Sequence, residues 1–183
     1  VKTMQGLTGF SSDLFTADKL EFNKDANMLK GGLVYADYIT TVSDSYAQEI
    51  QTDFYGEGLN GLLSARHFDM QGIVNGIDTD IWNPATDKLL AADYDEKSAI
   101  KNKKINKKAL QESLGLDVDE HKMVIGLISR LTNQKGLDLV NDVIPGIMDE
   151  HTQVVVLGTG DSQYENTFRY YENKYKGNFC AYI

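Results

Sequence analysis

MVIGLISRLTNQKGLDLV, residues Met123–Val140, begins as an unbroken apolar run and ends in a helical pattern. Met123–Ser129 is too short for a buried helix, and its continuous hydrophobicity fits a strand covered on both faces of a parallel sheet. Arg130 ends the run, Lys135 follows five residues later, and Leu137 opens a spacing continued by Val140, Ile144, Ile147 and Met148. That order is strand, cationic loop, helix. In open α/β sheets the loop after a strand's carboxyl end is where ligands bind.

Downstream the pattern repeats. TQVVVLG, Thr152–Gly158, reads as a second buried strand, DSQYENTFRYYENKY as a helix, and NFCAYI, Asn178–Ile183, as a third strand. β-α-β-α-β at this spacing predicts a Rossmann-like, doubly wound parallel sheet, so the fold class is α/β. Pro145 is expected to kink or split the first helix, because its ring removes a backbone donor.

Upstream, Lys101, Lys103, Lys104, Lys107 and Lys108 lie in a basic helix, SAIKNKKINKKALQESLGL, most simply a solvated face. GIVNGIDTDIWNPATD is turn-rich and reads as a connection between domains. Asn27–Ala36 predicts a helix with Met28, Leu29, Gly32, Leu33 and Ala36 on one face. Gly31 and Gly32 each cost that helix about 1 kcal/mol relative to Ala, which points to close backbone packing or a break. YITTV, Tyr38–Val42, reads as a strand, and Ser43 or Ser45 as the cap of a further helix, Ser45 with Gln48 forming a capping box.

The 183 residues suffice for one medium domain or parts of two. A net charge of −9 gives a nucleic-acid role no electrostatic support. Cys180 is the single cysteine, so disulfides and thiolate metal sites within the chain are excluded, which fits a reducing, cytoplasmic setting. No apolar run is long enough to span a membrane. His67, His121 and His151 show no metal-binding spacing, and no metal ligand is assigned.

Three motifs bear on chemistry. Arg130 and Lys135 stand where a helix N-terminus already favours anions. Arg adds a bidentate fork and Lys a mobile charge, which together suit a diphosphate. Pairing with nearby acids such as Asp138 is the alternative. GEGLNG, Gly56–Gly61, matches the dinucleotide fingerprint literally but follows a helix rather than a strand, so a tightly packed loop is the better reading. LGTGD, Leu157–Asp161, follows a strand. Gly158 and Gly160 would admit either a close ligand or only a tight turn capped by Asp161.

Taken together, LKGGLVYADYITTVSDSYAQEIQT, GEGLNGLL, GIVNGIDTDIWNPATD, NKKALQESLGL, GLISRLTNQKGLDLV and VVVLGTGD occur in an order that resembles the bacterial and plastid glycogen/starch synthases. The resemblance runs from about Leu29 to Asp161 and rests on the set, no single motif being specific. It implies a two-domain GT-B glycosyltransferase of Rossmann-like domains with the active site in the cleft between them. Residues 1–75 would close the N-terminal, acceptor-side domain. Residues 76–183 would supply the interdomain connection and the first part of the C-terminal, nucleotide-sugar-binding domain.

The implied activity is retaining transfer of glucose from ADP-glucose to the non-reducing end of an α-1,4-glucan, without metal or cofactor. Arg130 and Lys135 match the family's phosphate-contacting, catalytic cations, and Asn75 matches its cleft asparagine. Gly158 is carried as a donor-binding candidate. Ser43-Asp44 stands where the family usually has Ser-Pro. Thr3–Gly6, TMQG, looks like an altered form of a stretch that follows a cleft histidine in the family. The family's glycine-rich Lys loop and active-site Glu are expected outside this chain. An internal piece of a longer protein is therefore expected, inactive by itself. Two alternatives stay open: another nucleotide-sugar-dependent GT-B transferase, and a non-catalytic or glucan-binding piece. The oligomeric state is not legible.

Overall fold

In the computed structural model, which describes Val1–Ile183, the chain forms two units, Val1–Ile77 and Asp78–Ile183.

The first unit opens with α1 (Lys2–Thr8), ended by Gly9 in the left-handed region. A two-residue turn, Asn23 (φ 54°) and Lys24 (φ 68°), joins β1 (Glu21–Phe22) to β2 (Asp25–Ala26) as an antiparallel hairpin. Two consecutive positive φ values match the right-handed strand twist, and Asn tolerates them better than most residues. In α2 (Met28–Tyr35) the Asn27 side chain accepts from the Lys30 N–H at 2.9 Å. The buried residue of α2 is Gly31, packed on Leu20, while Met28 and Leu29 are exposed. The expected apolar face is thus rotated. A bare backbone lets the helix sit against Leu20, which is 3% exposed, where a Cβ would come within 3.0 Å of it.

β3 (Ile39–Thr41) follows, then α3 (Asp44–Glu49), α4 (Asn60–Ala65) and β4 (Met70–Gly72). Ser43 is the cap of α3, accepting from the Tyr46 N–H at 3.2 Å, so the Ser45–Gln48 box is not used. Parallel pairing of Ile39 with Met70 through Thr41 with Gly72 makes a two-stranded sheet whose second strand, only three residues long, carries no strand pattern in the sequence. Gly72 must be glycine, since a Cβ there would strike the Ser43 and Asp44 backbone. GEGLNG is a packed turn. Gly56 is buried, and a Cβ on it would meet Asn60 and the Ile50 carbonyl.

Arg66, just after α4, holds this unit together. Its guanidinium donates to the carbonyls of Leu33 and Ala36 at 2.8 Å each and to that of Asp37 at 3.3 Å, while Nε donates to Asp69 at 3.1 Å. The last carbonyls of a helix lack intrahelical partners, and here one planar fork supplies them for α2.

The second unit begins with an irregular stretch and α5 (Ala99–Ser113). Strands β5 (Met123–Ile128), β6 (Thr152–Leu157) and β7 (Phe179–Tyr182) then alternate with α6 (Leu137–Ile147) and α7 (Ser162–Lys174). All pairings are parallel, in the order β5-β6-β7. This is the α/β class the sequence predicts. One face carries the main core. Val154, Val156 and Phe179 of the sheet meet Leu137 and Ile144 of α6 and Tyr164, Phe168 and Tyr171 of α7. The α7 residues recur at helical spacing, and each fully buried side chain of this size contributes about 1.5–3 kcal/mol.

The other face is covered unevenly. Leu116, Val155 and Cys180 form a small cluster. Beside it Gln153 and Gln111, 0% and 1% exposed, satisfy each other. Gln111 Nε2 donates to Gln153 Oε1 at 2.7 Å, and Gln153 Nε2 donates to the carbonyls of Asp117 and Gly177. β5 is therefore not buried on both faces: Met123 and Ile128 are largely exposed. Burial is deepest on β6, the strand flanked on both sides.

Pro145 neither splits nor ends α6, which runs through it to Ile147. Its missing N–H leaves the Asn141 carbonyl without a helical donor. The Tyr171 hydroxyl of α7 donates to that carbonyl at 3.1 Å, so the loss is repaired from a neighbouring helix.

Candidate functional site

At the carboxyl end of the three-stranded sheet, the loops leaving β5 and β6 are joined as if the strands continued. The N–H of Ser129 donates to Leu157 O at 3.1 Å and that of Leu131 to Thr159 O at 2.9 Å. In return the Asp161 N–H donates to Leu131 O at 2.8 Å. This approach explains two glycines within the chain. A Cβ on Gly158 (φ 154°) would strike the Ser129 carbonyl, and one on Gly160 the Leu131 backbone. Asp161 is the residue preceding α7, yet its side chain makes no capping bond. The Glu165 carboxylate turns back instead and accepts from the Gly160 N–H at 2.9 Å.

Arg130 lies between the two zipped residues Ser129 and Leu131, and Lys135 ends a 3-10 turn, Asn133–Lys135. Two fully buried leucines, Leu131 and Leu137, clamp the loop on either side. Within it the Lys135 N–H donates to Thr132 O at 3.0 Å and the Gly136 N–H to Asn133 O at 3.1 Å. Gly136, with φ 65°, turns the chain into α6.

Both residues are exposed, and neither charged side-chain group forms a hydrogen bond or ion pair with the rest of the chain, Asp138 included. The basic helix behaves differently. Lys104 pairs with Glu120 at 3.0 Å, Lys108 lies 3.8 Å from Glu112, and Lys107 donates to the Glu120 carbonyl at 2.8 Å. The fold thus uses several α5 lysines and leaves the loop cations free beside a helix N-terminus. Chemically, that arrangement can receive a multiply charged anion.

Asn75 belongs to the first unit. It lies just past the carboxyl end of β4, exposed, with no hydrogen bond to the rest of the chain. The structure brings Arg130, Lys135 and Gly158 to one sheet edge, and Asn75 to the corresponding end of the other parallel pair. An open apolar groove of about 1080 Å³ lies on the less covered face of the second unit, between α5 and Val124, Gly126 and Ile128. Neither Arg130 nor Lys135 lines it. No cluster of three or more His, Cys, Asp or Glu is arranged to hold a metal ion. No helix is long and apolar enough to cross a membrane.

The sequence reading did not single out Tyr164 or Glu165. A capping pattern one turn into α7 was the available signal for Glu165. Nothing local signals Tyr164.

The chain is similar to known proteins. The family described as "Starch synthase catalytic domain" matches residues 2–65. The chain is 53% identical over all 183 residues to a glycogen synthase of Lachnospira eligens and spans 38% of that protein. It is 50% identical over 175 residues to one of Thermotoga petrophila, covering 96% of this chain and 36% of the relative. A solved structure, the catalytic domain of starch synthase IV from Arabidopsis thaliana bound to ADP and acarbose, superposes with a TM-score of 0.83 at 34% identity. The match covers 94% of this chain and 36% of that one. Over 94% or more of its length the chain is thus similar to glycogen and starch synthases, and it spans a little over a third of each.

Proposed function

We propose that this chain is the middle portion of a bacterial, cytoplasmic glycogen synthase of the GT-B type, transferring glucose from ADP-glucose to an α-1,4-glucan with retention of configuration. On this reading the first unit closes the acceptor-side domain, and the second opens the nucleotide-sugar-binding domain. Asn75 is assigned to donor contact, whereas Gly158, whose missing Cβ leaves room for the Ser129 carbonyl, is assigned only to the close approach of the two exit loops. The observation that carries the reading is the pair of unpaired, exposed cations, Arg130 and Lys135, at the carboxyl end of β5.

Cleavage of the anomeric C–O bond leaves negative charge on the ADP phosphates. Arg130, through its fork, and Lys135, as a point charge, stabilise that charge as it develops. Preorganised charges of this kind commonly supply the largest share of a rate enhancement. Water excluded from such a site cannot intercept the glucosyl group.

The test uses the full-length protein. Arg130→Ala and Lys135→Ala are each expected to lower kcat by about 10²–10³, the range seen when one charge-stabilising donor is removed, with the melting temperature preserved. Turnover near wild type in either variant would remove the leaving-group role. Competition between ADP-glucose and UDP-glucose tests the choice of donor.

A further inference from the structure

The loop that carries Lys135 is long enough to be soft, and what stiffens it is specific. Between the buried Leu131 and Leu137 stand Thr132, Asn133, Gln134, Lys135 and Gly136. Only one hydrogen bond from any of their side chains reaches outside the loop: the Tyr164 hydroxyl donates to Asn133 Oδ1 at 3.0 Å. Tyr164 is 5% exposed, and its ring is fixed in the core among the residues of α6, α7 and the sheet. Asn133 is exposed and is the first residue of the 3-10 turn that ends in Lys135. The next residue of α7, Glu165, holds Gly160, and Gly160 is bridged to Leu131. The first turn of α7 therefore fastens both exit loops, one through each residue.

We propose that Tyr164 is a positioning residue for Lys135, acting through Asn133. Resting on the reading of Lys135 as a cation that meets the donor's phosphates, it assigns α7 a part in the reaction without contact with the substrate. Tyr164 anchors one end of the hydrogen bond in the core. Asn133 transmits that rigidity to the turn, and the turn sets where the Lys135 stem departs. A loop without the tether samples more conformations, so the ammonium spends less time where charge develops. Misplacement of a catalytic group by about 1 Å can cost about a hundredfold in rate. A tether that only narrows a distribution is expected to cost less, about tenfold.

The experiment measures kcat and KM for ADP-glucose in the full-length protein. Tyr164→Phe keeps the buried ring and removes only the donor. It is expected to lower kcat about tenfold with a smaller change in KM. Asn133→Ala, at an exposed position, is expected to reproduce this, and the double variant to add nothing, because the two act as one unit. In a Lys135→Ala background, Tyr164→Phe is expected to have no further effect. Wild-type turnover in both Tyr164→Phe and Asn133→Ala, with Lys135→Ala severely impaired, would overturn the positioning role and leave the phosphate reading standing. An equal loss from Tyr164→Phe in both backgrounds would also overturn it, since the hydroxyl would then act elsewhere. Wild-type turnover in Lys135→Ala would overturn the underlying reading and the positioning role together. Should Tyr164→Phe fail to fold, Asn133→Ala and its Lys135→Ala double variant decide the matter.

Discussion

The positions of Arg130 and Lys135 were legible in the sequence, because cations between an apolar strand and the helix that follows it fall in the loop at the sheet's carboxyl end. Arg66 was not legible, although it is the most heavily bonded side chain of the first unit. Its partners are main-chain carbonyls about thirty positions away, Leu33 O and Ala36 O among them, and a carbonyl carries no side-chain signature. Arg66→Ala leaves those half-buried acceptors to water. Hydrogen bonds to a charged group are worth about 1.5–3 kcal/mol each when partly buried, so a net loss of about 2–3 kcal/mol in denaturant melts is expected. Arg66→Lys recovers only part of it, lacking the fork. A melt within 0.5 kcal/mol or so of wild type for Arg66→Ala would show that solvent replaces the guanidinium. Gly158 illustrates the opposite ambiguity. Its bare backbone was readable as ligand access or as a tight turn, and the Ser129 carbonyl beside it is sufficient reason for glycine.

Elements were predicted well where burial dominates and less well where a neighbour intervenes. β6 follows directly from its apolar run, whereas α7 is expected only as a helix, without its buried stripe of Tyr164, Phe168 and Tyr171. α2 turns a different face inward because Leu20, from outside the helix, selects the glycine side. α6 tolerates Pro145 because Tyr171 supplies the donor that proline lacks. Burial pushes the Tyr171 hydroxyl above its ordinary value of 10.0, with the neighbouring Tyr175 adding to the shift, so it remains a donor at neutral pH. A raised value in the folded state means that this contribution is full below the unfolded pKa and is lost as alkaline pH passes through the folded one. Tyr171→Phe should cost about 1–2 kcal/mol by orphaning the Asn141 carbonyl. In a Pro145→Ala background, where a backbone N–H returns, the same substitution should cost measurably less. Equal costs in the two backgrounds, read from a double-mutant cycle of denaturant melts, would sever the link between the proline and the tyrosine.

At the scale of the whole molecule, the net charge of −9 opposes the approach of a polyanion, so any nucleotide binding has to come from local cations. Isothermal titration of the chain with ADP is expected to show binding. Replacing both Arg130 and Lys135 with alanine is expected to weaken it at least about a hundredfold, from two lost charge-assisted contacts of about 1.5–3 kcal/mol each. Unchanged affinity in the double variant would place the nucleotide elsewhere.

By itself the sequence determined the α/β class, the parallel strands of the second unit and the loop on which the two cations stand. Apolar period and charge position are local properties of the chain, and burial on folding enforces them. Tertiary structure alone decided that the cations are left unpaired, that Tyr164 and Glu165 each fasten one of the two exit loops, that Arg66 closes the end of α2, and that a parallel pair forms between β3 and β4. Each of these depends on main-chain groups or hydroxyls meeting across a distance in the chain, and such meetings are set by packing rather than by any pattern along the sequence.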